Sequence, residues 1–344
     1  MRISQTMRWI AGLIGVVVAS LVLATPGIIP AQQPNTLQAN KVAAGPTLDG
    51  MMKPAWEQAT PLTVRLMGGR NLPSGSTEVS LRAVYDNENI YFLAQWKDAT
   101  KSERREPLQK QADGSWKKLV DPNDKGGDNN TYYEDKLAMI WAIKSPSFER
   151  SGCFVACHLG EGKPYGNKYL PVGELADIWH WKGVRTGSVG QIDDQYLDDT
   201  KYDKEKSPDA GRKSDKRDGG GYADNKLVDG KPQWALKDNK PAPPYWILDS
   251  EKAAFDDSKY KAGDEVPGII VAPFTGDRGD ISARATWADG VWTLEWSRKL
   301  KTGSPTDVQF DDLSKRYAFG VAVFDNAQVR HAFHPGALGL TFGQ

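Results

Sequence analysis

Cys153-Phe-Val-Ala-Cys157-His158 holds the chain's only two cysteines, with a histidine directly after the second. The common attachment signature for a c-type haem is C-x-x-C-H, and this stretch has one extra residue between the thiols. Two thiols add to the haem vinyl groups as thioethers, and the adjacent imidazole then lies under the porphyrin as an axial ligand to iron. A longer spacer still allows two sulfurs to reach one macrocycle. The rival reading is a Cys153–Cys157 disulfide with His158 incidental. A closed zinc site is short of ligands, because two cysteines and one histidine make only three.

A second group follows at Asp177-Ile-Trp-His-Trp-Lys182. Trp179 and Trp181 could wall a flat macrocycle, His180 could ligate iron, and Lys182 or Arg185 could pair with a propionate. The alternative makes both tryptophans plain core, with His180 hydrogen-bonded beside them. A low-spin electron-transfer haem needs a second axial ligand. His331 and His334, in Val329-Arg-His-Ala-Phe-His334, are the favoured candidates, with His180 next and Met139 behind. The metal-ligand set expected is therefore His158 with His331 or His334. Asp121-Pro-Asn-Asp-Lys-Gly-Gly-Asp-Asn-Asn130 clusters oxygen ligands around glycines as a Ca²⁺ loop does, but its spacing is not that of an EF-hand. A polar surface loop is the better reading there.

The elements that must position these groups read as strands. Thr77 to Tyr85 and Ile90 to Trp96 alternate apolar and polar residues across an Asn-Glu-Asn turn. Lys136 to Ile143, Ile281 to Trp287, Val291 to Ser297, Ala318 to Phe324 and Ala337 to Phe342 repeat the pattern. The pair Asp289-Gly290 is a strong hairpin signal. Long amphipathic helices are absent, and Gly and Pro together number 55, which favours strands and loops over a helical bundle. The expected fold is all-β: an antiparallel β-sandwich or flattened barrel with long loop insertions and a haem pocket. Residues 191–261 are rich in Asp, Lys, Gly and Pro and read as a long surface insertion whose second half packs back through Trp234, Tyr245 and Trp246.

Arg2 and Arg8, the apolar run Ile10 to Ala24, and Pro26 and Pro30 behind it read as a secretory signal over residues 1–31. Residues 32–344 then form the haem-binding domain, in the periplasm or otherwise exported. Membrane attachment is expected only if the leader is retained. Basic and acidic residues balance at 44 each, which argues against a nucleic-acid surface.

With these residues in view, the chain resembles the ethylbenzene-dehydrogenase-type haem-binding domain family. These γ-subunit-like proteins accompany molybdenum enzymes of the dimethyl sulfoxide reductase type, acting on nitrite, nitrate, chlorate or dimethyl sulfide. The resemblance is carried by Pro46-Thr-Leu-Asp-Gly50 with Trp56, Ser76 to Arg82, Ile90 to Trp96, Asp177 to Lys182, Gly290 to Arg298 and Phe319 to Asp325. It implies a β-sandwich holding one haem. Well-known γ subunits bind a non-covalent haem b through a methionine and a lysine. Here Cys153 to His158 stands where they carry a methionine loop, which implies a c-type branch with His158 in the methionine's place.

The expected function is that of an exported monohaem c-type cytochrome-like electron carrier. It is not itself an enzyme: there is no Ser/His/Asp set, no phosphate loop, and no molybdopterin or iron–sulfur cysteine pattern. Its cofactor is one covalent haem c. Its partner is a molybdenum and iron–sulfur oxidoreductase or another cytochrome. The alternative is a haem-free, carbohydrate-binding-like β-sandwich module, suggested by Leu48-Asp-Gly50 and Trp56, with a Cys153–Cys157 disulfide.

Overall fold

A computed structural model describes residues 35–124, 127–128, 131–152, 156 and 168–343. The expected signal sequence, Cys153, Cys157 and His158 lie outside the described residues. Strands dominate, and they group into one 13-stranded sheet and several small ones.

The large sheet contains β1 (Thr36–Lys41), β2 (Leu62–Met67), β3 (Ser76–Tyr85), β4 (Asn89–Lys97), β5 (Lys136–Lys144), β6 (Leu175–Lys182), β7 (Asp193–Leu197) and β8 (Arg212–Ser214). After β9 (Gly219–Asp224) and β10 (Ile269–Thr275), which pair with each other in a smaller sheet, it continues. Its remaining strands are β11 (Ser282–Ala288), β12 (Val291–Lys299), β13 (Tyr317–Phe324), β14 (Ala332–Phe333) and β15 (Leu338–Phe342). The order is β8-β7-β6-β5-β13-β14-β2-β3-β4-β12-β11. β1 lies parallel to both β3 and β15, and β15 pairs antiparallel with β13, which makes a second link between the halves. A bridge between Gln191 and Ser282 ties the other margins together. The result is a flattened, folded-over sheet, as expected from the strand pattern, with two parallel pairings added by β1.

The two halves meet over an aromatic core. Trp141 and Trp179 come from β5 and β6; Phe92, Trp96, Trp292 and Trp296 come from β4 and β12. Phe92 lies 5.8 Å from Trp141 and stacks on Trp296 at 5.2 Å, while Trp181 meets Trp292 edge-on at 5.1 Å. Such rings bury large apolar areas and prefer these offset and edge contacts. The β11–β12 hairpin turns at Asp289-Gly290, where both residues have positive φ, 51° and 76°. That is the requirement of a tight two-residue hairpin turn, which explains the Asp-Gly pair.

The segment 191–261 departs from the surface insertion expected. Its first part supplies β7 and β8 to the main sheet. Beyond these, β9 joins β10, while Trp246, expected to pack back onto the body, lies against Val184, Ile269 and Val271. The high polar content misled because Asp193, Asp194 and Gln195 are buried polar residues within a strand. Among the described residues, no helix is long and apolar enough to cross a membrane.

Candidate functional site

β6 positions the second group of candidate residues, and strand alternation divides it. Successive side chains of a strand point to opposite faces. Trp179 and Trp181 enter the main aromatic core, each 1% exposed. His180 and Lys182 occupy the other face. The expectation that Trp179, His180, Trp181 and Lys182 line one pocket is therefore corrected: a regular strand cannot aim all four at one side. Met139, opposite Trp179 in β5, also points into the aromatic core.

The outer face of β5, β6 and β13 is flat and mostly small-residued. Ala138 pairs with His180 and Ala322, while Ile140 pairs with Ile178 and Gly320. Ala142, Ala176 and Ala318 extend this surface. Ala156, the one described residue between Cys153 and Cys157, is fully buried against it, with Ile140, Phe148 and Leu170. The chain leaves for this loop at Gly152 (φ 71°), where an added Cβ would stand 2.3 Å from the Gly336 carbonyl carbon. It returns at Lys168 and Leu170, which hydrogen-bond to Gly211 and Asp198 beside the end of β7. The two anchors thus stand on either side of β5 and β6.

His180 is 6% exposed, and its Nε2 has no hydrogen-bond partner. Its ring stacks on Phe324 of β13 at 5.5 Å. Burial, reinforced by Lys182, Lys136, Arg212 and Arg185, holds its pKa far below the ordinary value, so the imidazole is neutral. A buried unpaired imidazole nitrogen costs about 1–3 kcal/mol unless something binds it. Phe324 also touches His331, with ring centroids 4.7 Å apart. His331 Nδ1 lies 2.7 Å from the Val329 carbonyl and His334 Nδ1 lies 2.9 Å from the Gly336 carbonyl. Nδ1–H donation to a carbonyl is the tautomer that presents Nε2 to a metal. His180 and His331 thus converge on Phe324, and His334 sits beside the loop's departure point.

The cations around this face already have partners within the chain. Lys182 Nζ forms an ion pair with Asp193 and lies 3.1 Å from the Tyr222 hydroxyl. Arg278 Nε reaches the same Asp193 at 2.5 Å. Arg185 donates to Glu134 at 2.5 Å. Burial works against ionised Glu134, but Arg185 and Arg105 keep its pKa below the usual value. Neither Lys182 nor Arg185 is a spare cation of the kind expected for a propionate. Lys136 donates to the Gln328 carbonyl at 2.8 Å and lies 3.9 Å from the Phe324 ring centre. Burial, with Arg185 nearby, lowers its pKa well below that of a free lysine.

Asp121, in the candidate Ca²⁺ loop, spends Oδ1 on the Asn123 amide and Oδ2 on the Thr131 hydroxyl. That is a self-satisfied turn. Among the described residues, no tryptophan is exposed. Trp56, from the stretch suggesting a carbohydrate module, is fully buried and donates Nε1 to Glu295.

Fold and site together define an all-β sandwich protein with a histidine-bearing face against which Ala156 packs. The chain belongs to the ethylbenzene dehydrogenase family, whose model matches residues 53–335. This is a family of oxidoreductase-associated subunits. No curated protein matches the chain. Among solved structures, a family 9 carbohydrate-binding module from Caldicellulosiruptor kristjanssonii, in complex with cellotriose, is similar at 9% identity and a TM-score of 0.34, covering 90% of this chain and 95% of that one. A putative carbohydrate-binding protein from Bacteroides uniformis gives 10% identity and a TM-score of 0.35, covering 89% and 98%.

Proposed function

We propose that this chain is an exported, single-haem c-type electron-transfer subunit serving a molybdenum and iron–sulfur oxidoreductase or another cytochrome. The carrying observation is the buried, unpartnered Nε2 of His180 on the face against which Ala156 packs. The donor set fits a haem. Cys153 and Cys157 would hold it by thioethers, and His158 and His180 would supply nitrogen ligands to its iron. When bound, the haem iron alternates between Fe(III) and Fe(II) and carries one electron.

The chain's own residues do the rest. Stacking on Phe324 fixes the plane of His180, and burial keeps its nitrogen unprotonated. Small side chains of β5 and β13 share the face of His180, and the tryptophan core lies behind β6. Lys182 and Arg278 share the one carboxylate of Asp193, and the positive charge that remains near His180 favours its neutral form.

The test is a pyridine haemochrome spectrum on protein exported with the c-type maturation machinery, beside a denaturing gel stained for haem. A c-type band fixed to the polypeptide is expected. A b-type band lost on the gel would keep electron transfer but make Cys153 and Cys157 a disulfide. A colourless protein would overturn the proposal and favour a haem-free binding module.

A further inference from the structure

A second cluster lies on the core-facing side of the same strands, away from His180. Asp177 of β6 and Asp194 of β7 are both fully buried, and Asp307, from the loop after β12, is 1% exposed. One carboxylate oxygen from each lies within 4.8 Å of the others. Asp215 and the half-buried Asp277 form an adjoining trio through the same Asp307. The cation reaching this group is Arg298, whose Nη1 lies 3.0 Å from Asp177 and 3.6 Å from Asp307.

The hydrogen-bond inventory supplies an independent observation. Asp177 Oδ2 is saturated: it accepts from Arg298, the Trp179 indole at 2.9 Å and the Val308 amide at 2.9 Å. Its Oδ1 has no partner. Asp194 Oδ2 has none, and both carboxylate oxygens of Asp307 lack a hydrogen bond. Four acceptor atoms on three buried, mutually close carboxylates therefore have no hydrogen-bond partner. Three ionised carboxylates against one guanidinium leave an uncompensated buried charge of −2, which is very costly in a low-dielectric interior.

We infer that Asp177, Asp194 and Asp307 bind one divalent cation, calcium by ligand chemistry. Ca²⁺ prefers six to eight oxygen ligands at about 2.3–2.6 Å, so two oxygens on opposite sides of one ion stand about 4.8 Å apart. All donors are hard carboxylate oxygens; no histidine or cysteine joins the cluster, which disfavours zinc and copper. The buried trio Asp98, Asp135 and Asp325 is a poorer fit. Asp135 there already accepts from Ser102 N, Asn326 N and the Trp292 indole. The ion would tie β6 and β7 to the loop after β12. This inference does not depend on haem.

Calorimetry tests it on the full chain, stripped with a chelator, dialysed and titrated with calcium chloride. The expected result is uptake of one Ca²⁺ per chain, with Mg²⁺ competing weakly. Saturating calcium should raise the melting temperature by about 5 °C. Asp307→Asn and Asp194→Asn should each weaken binding at least about tenfold. Asp121→Asn should bind like the parent. If the stripped parent chain shows neither uptake nor a melting shift, the inference fails and shared protons hold the carboxylates together. That result does not require either cluster variant to fold.

Discussion

The indole of Trp56 donates to Glu295 Oε1 at 2.6 Å. Glu295 is fully buried on β12, and its other oxygen accepts from the Asp49 amide at 2.8 Å and the Gly50 amide at 2.6 Å. Lys53 Nζ completes the set at 2.9 Å. The N-terminal Thr-Leu-Asp-Gly stretch and the Trp-Thr-Leu-Glu-Trp stretch, more than 240 residues apart, are thus two halves of one polar lock. Glu295→Ala would strand the Trp56 indole and the Asp49 and Gly50 amides, leaving Lys53 on Asp49, and should cost about 3–5 kcal/mol, with Glu295→Gln at about half of that. Urea denaturation measures both. A loss below about 1 kcal/mol for the alanine variant would show the lock to be dispensable.

The second-ligand assignment separates three histidines. His180→Phe keeps an aromatic ring on Phe324 and removes the unpaired nitrogen. It should leave haem covalently attached while abolishing the six-coordinate low-spin spectrum, and stability should fall by no more than about 1 kcal/mol. His331→Phe and His334→Phe should keep the low-spin spectrum. If one of those two loses it and His180→Phe does not, the ligand is the histidine so marked. If none does, the Lys136 amine is the next nitrogen on that face.

Asp193 pairs with two cations, so the two sides of its ion pair are unequal. Asp193→Asn leaves Lys182 and Arg278 facing each other in a buried site and should cost about 3–5 kcal/mol. Lys182→Met leaves the Arg278–Asp193 pair and should cost about 1–2 kcal/mol. Burial opposes ionised Asp193, but Lys182 and Arg278 depress its pKa far below the unfolded value. Its stabilisation is therefore present above about pH 4 and is lost as pH falls toward the folded pKa. Equal losses in the two variants, read from denaturation at neutral pH, would contradict this account.

Asp98 behaves in the opposite sense. Burial, with Asp325 beside it, raises its pKa to about 7. Its Oδ1 accepts from Thr100 N at 3.1 Å, and its Oδ2 has no partner. A carboxyl with a raised folded pKa contributes stability below the unfolded value, and that contribution is lost as pH rises through about 4 to 7. Asp98→Asn should therefore stabilise the protein at pH 8 by about 1–3 kcal/mol, and should flatten the pH dependence over that window. Chelator present throughout keeps metal effects out. A destabilised variant at pH 8 would show that ionised Asp98 has a partner in solution.

Several of these features were legible in the sequence for specific physical reasons. Asp289-Gly290 announced its hairpin because few other residue pairs tolerate two consecutive positive φ angles. Ala318 to Phe324 and Ala337 to Phe342 read as strands because short, mostly apolar segments of this length are too short for a buried helix. Trp179-His180-Trp181-Lys182 was seen as one chemical group, although on a strand its period of two already implied separate faces. The carboxylate cluster was invisible. Asp177, Asp194 and Asp307 span 130 residues with no common spacing, and only the fold-over of the sheet brings them together. Asp121 to Asn130 had the more suggestive local pattern, yet Asp121 there is satisfied by its own turn.

β1 runs parallel between β3 and β15, with Thr36 opposite Gly339 and Ala39 opposite both Ala83 and Phe342. The first described strand therefore completes its pairing on one of the last. Contacts across so long a stretch of chain are slow to form, because most of the loop-closure entropy must be lost before they reward it. Until β15 has been synthesised, β1 has an unpaired edge and the aromatic core cannot be sealed on that side. A chain built this way stays open throughout its synthesis and closes late, with its slowest step set by topology rather than by any single side chain.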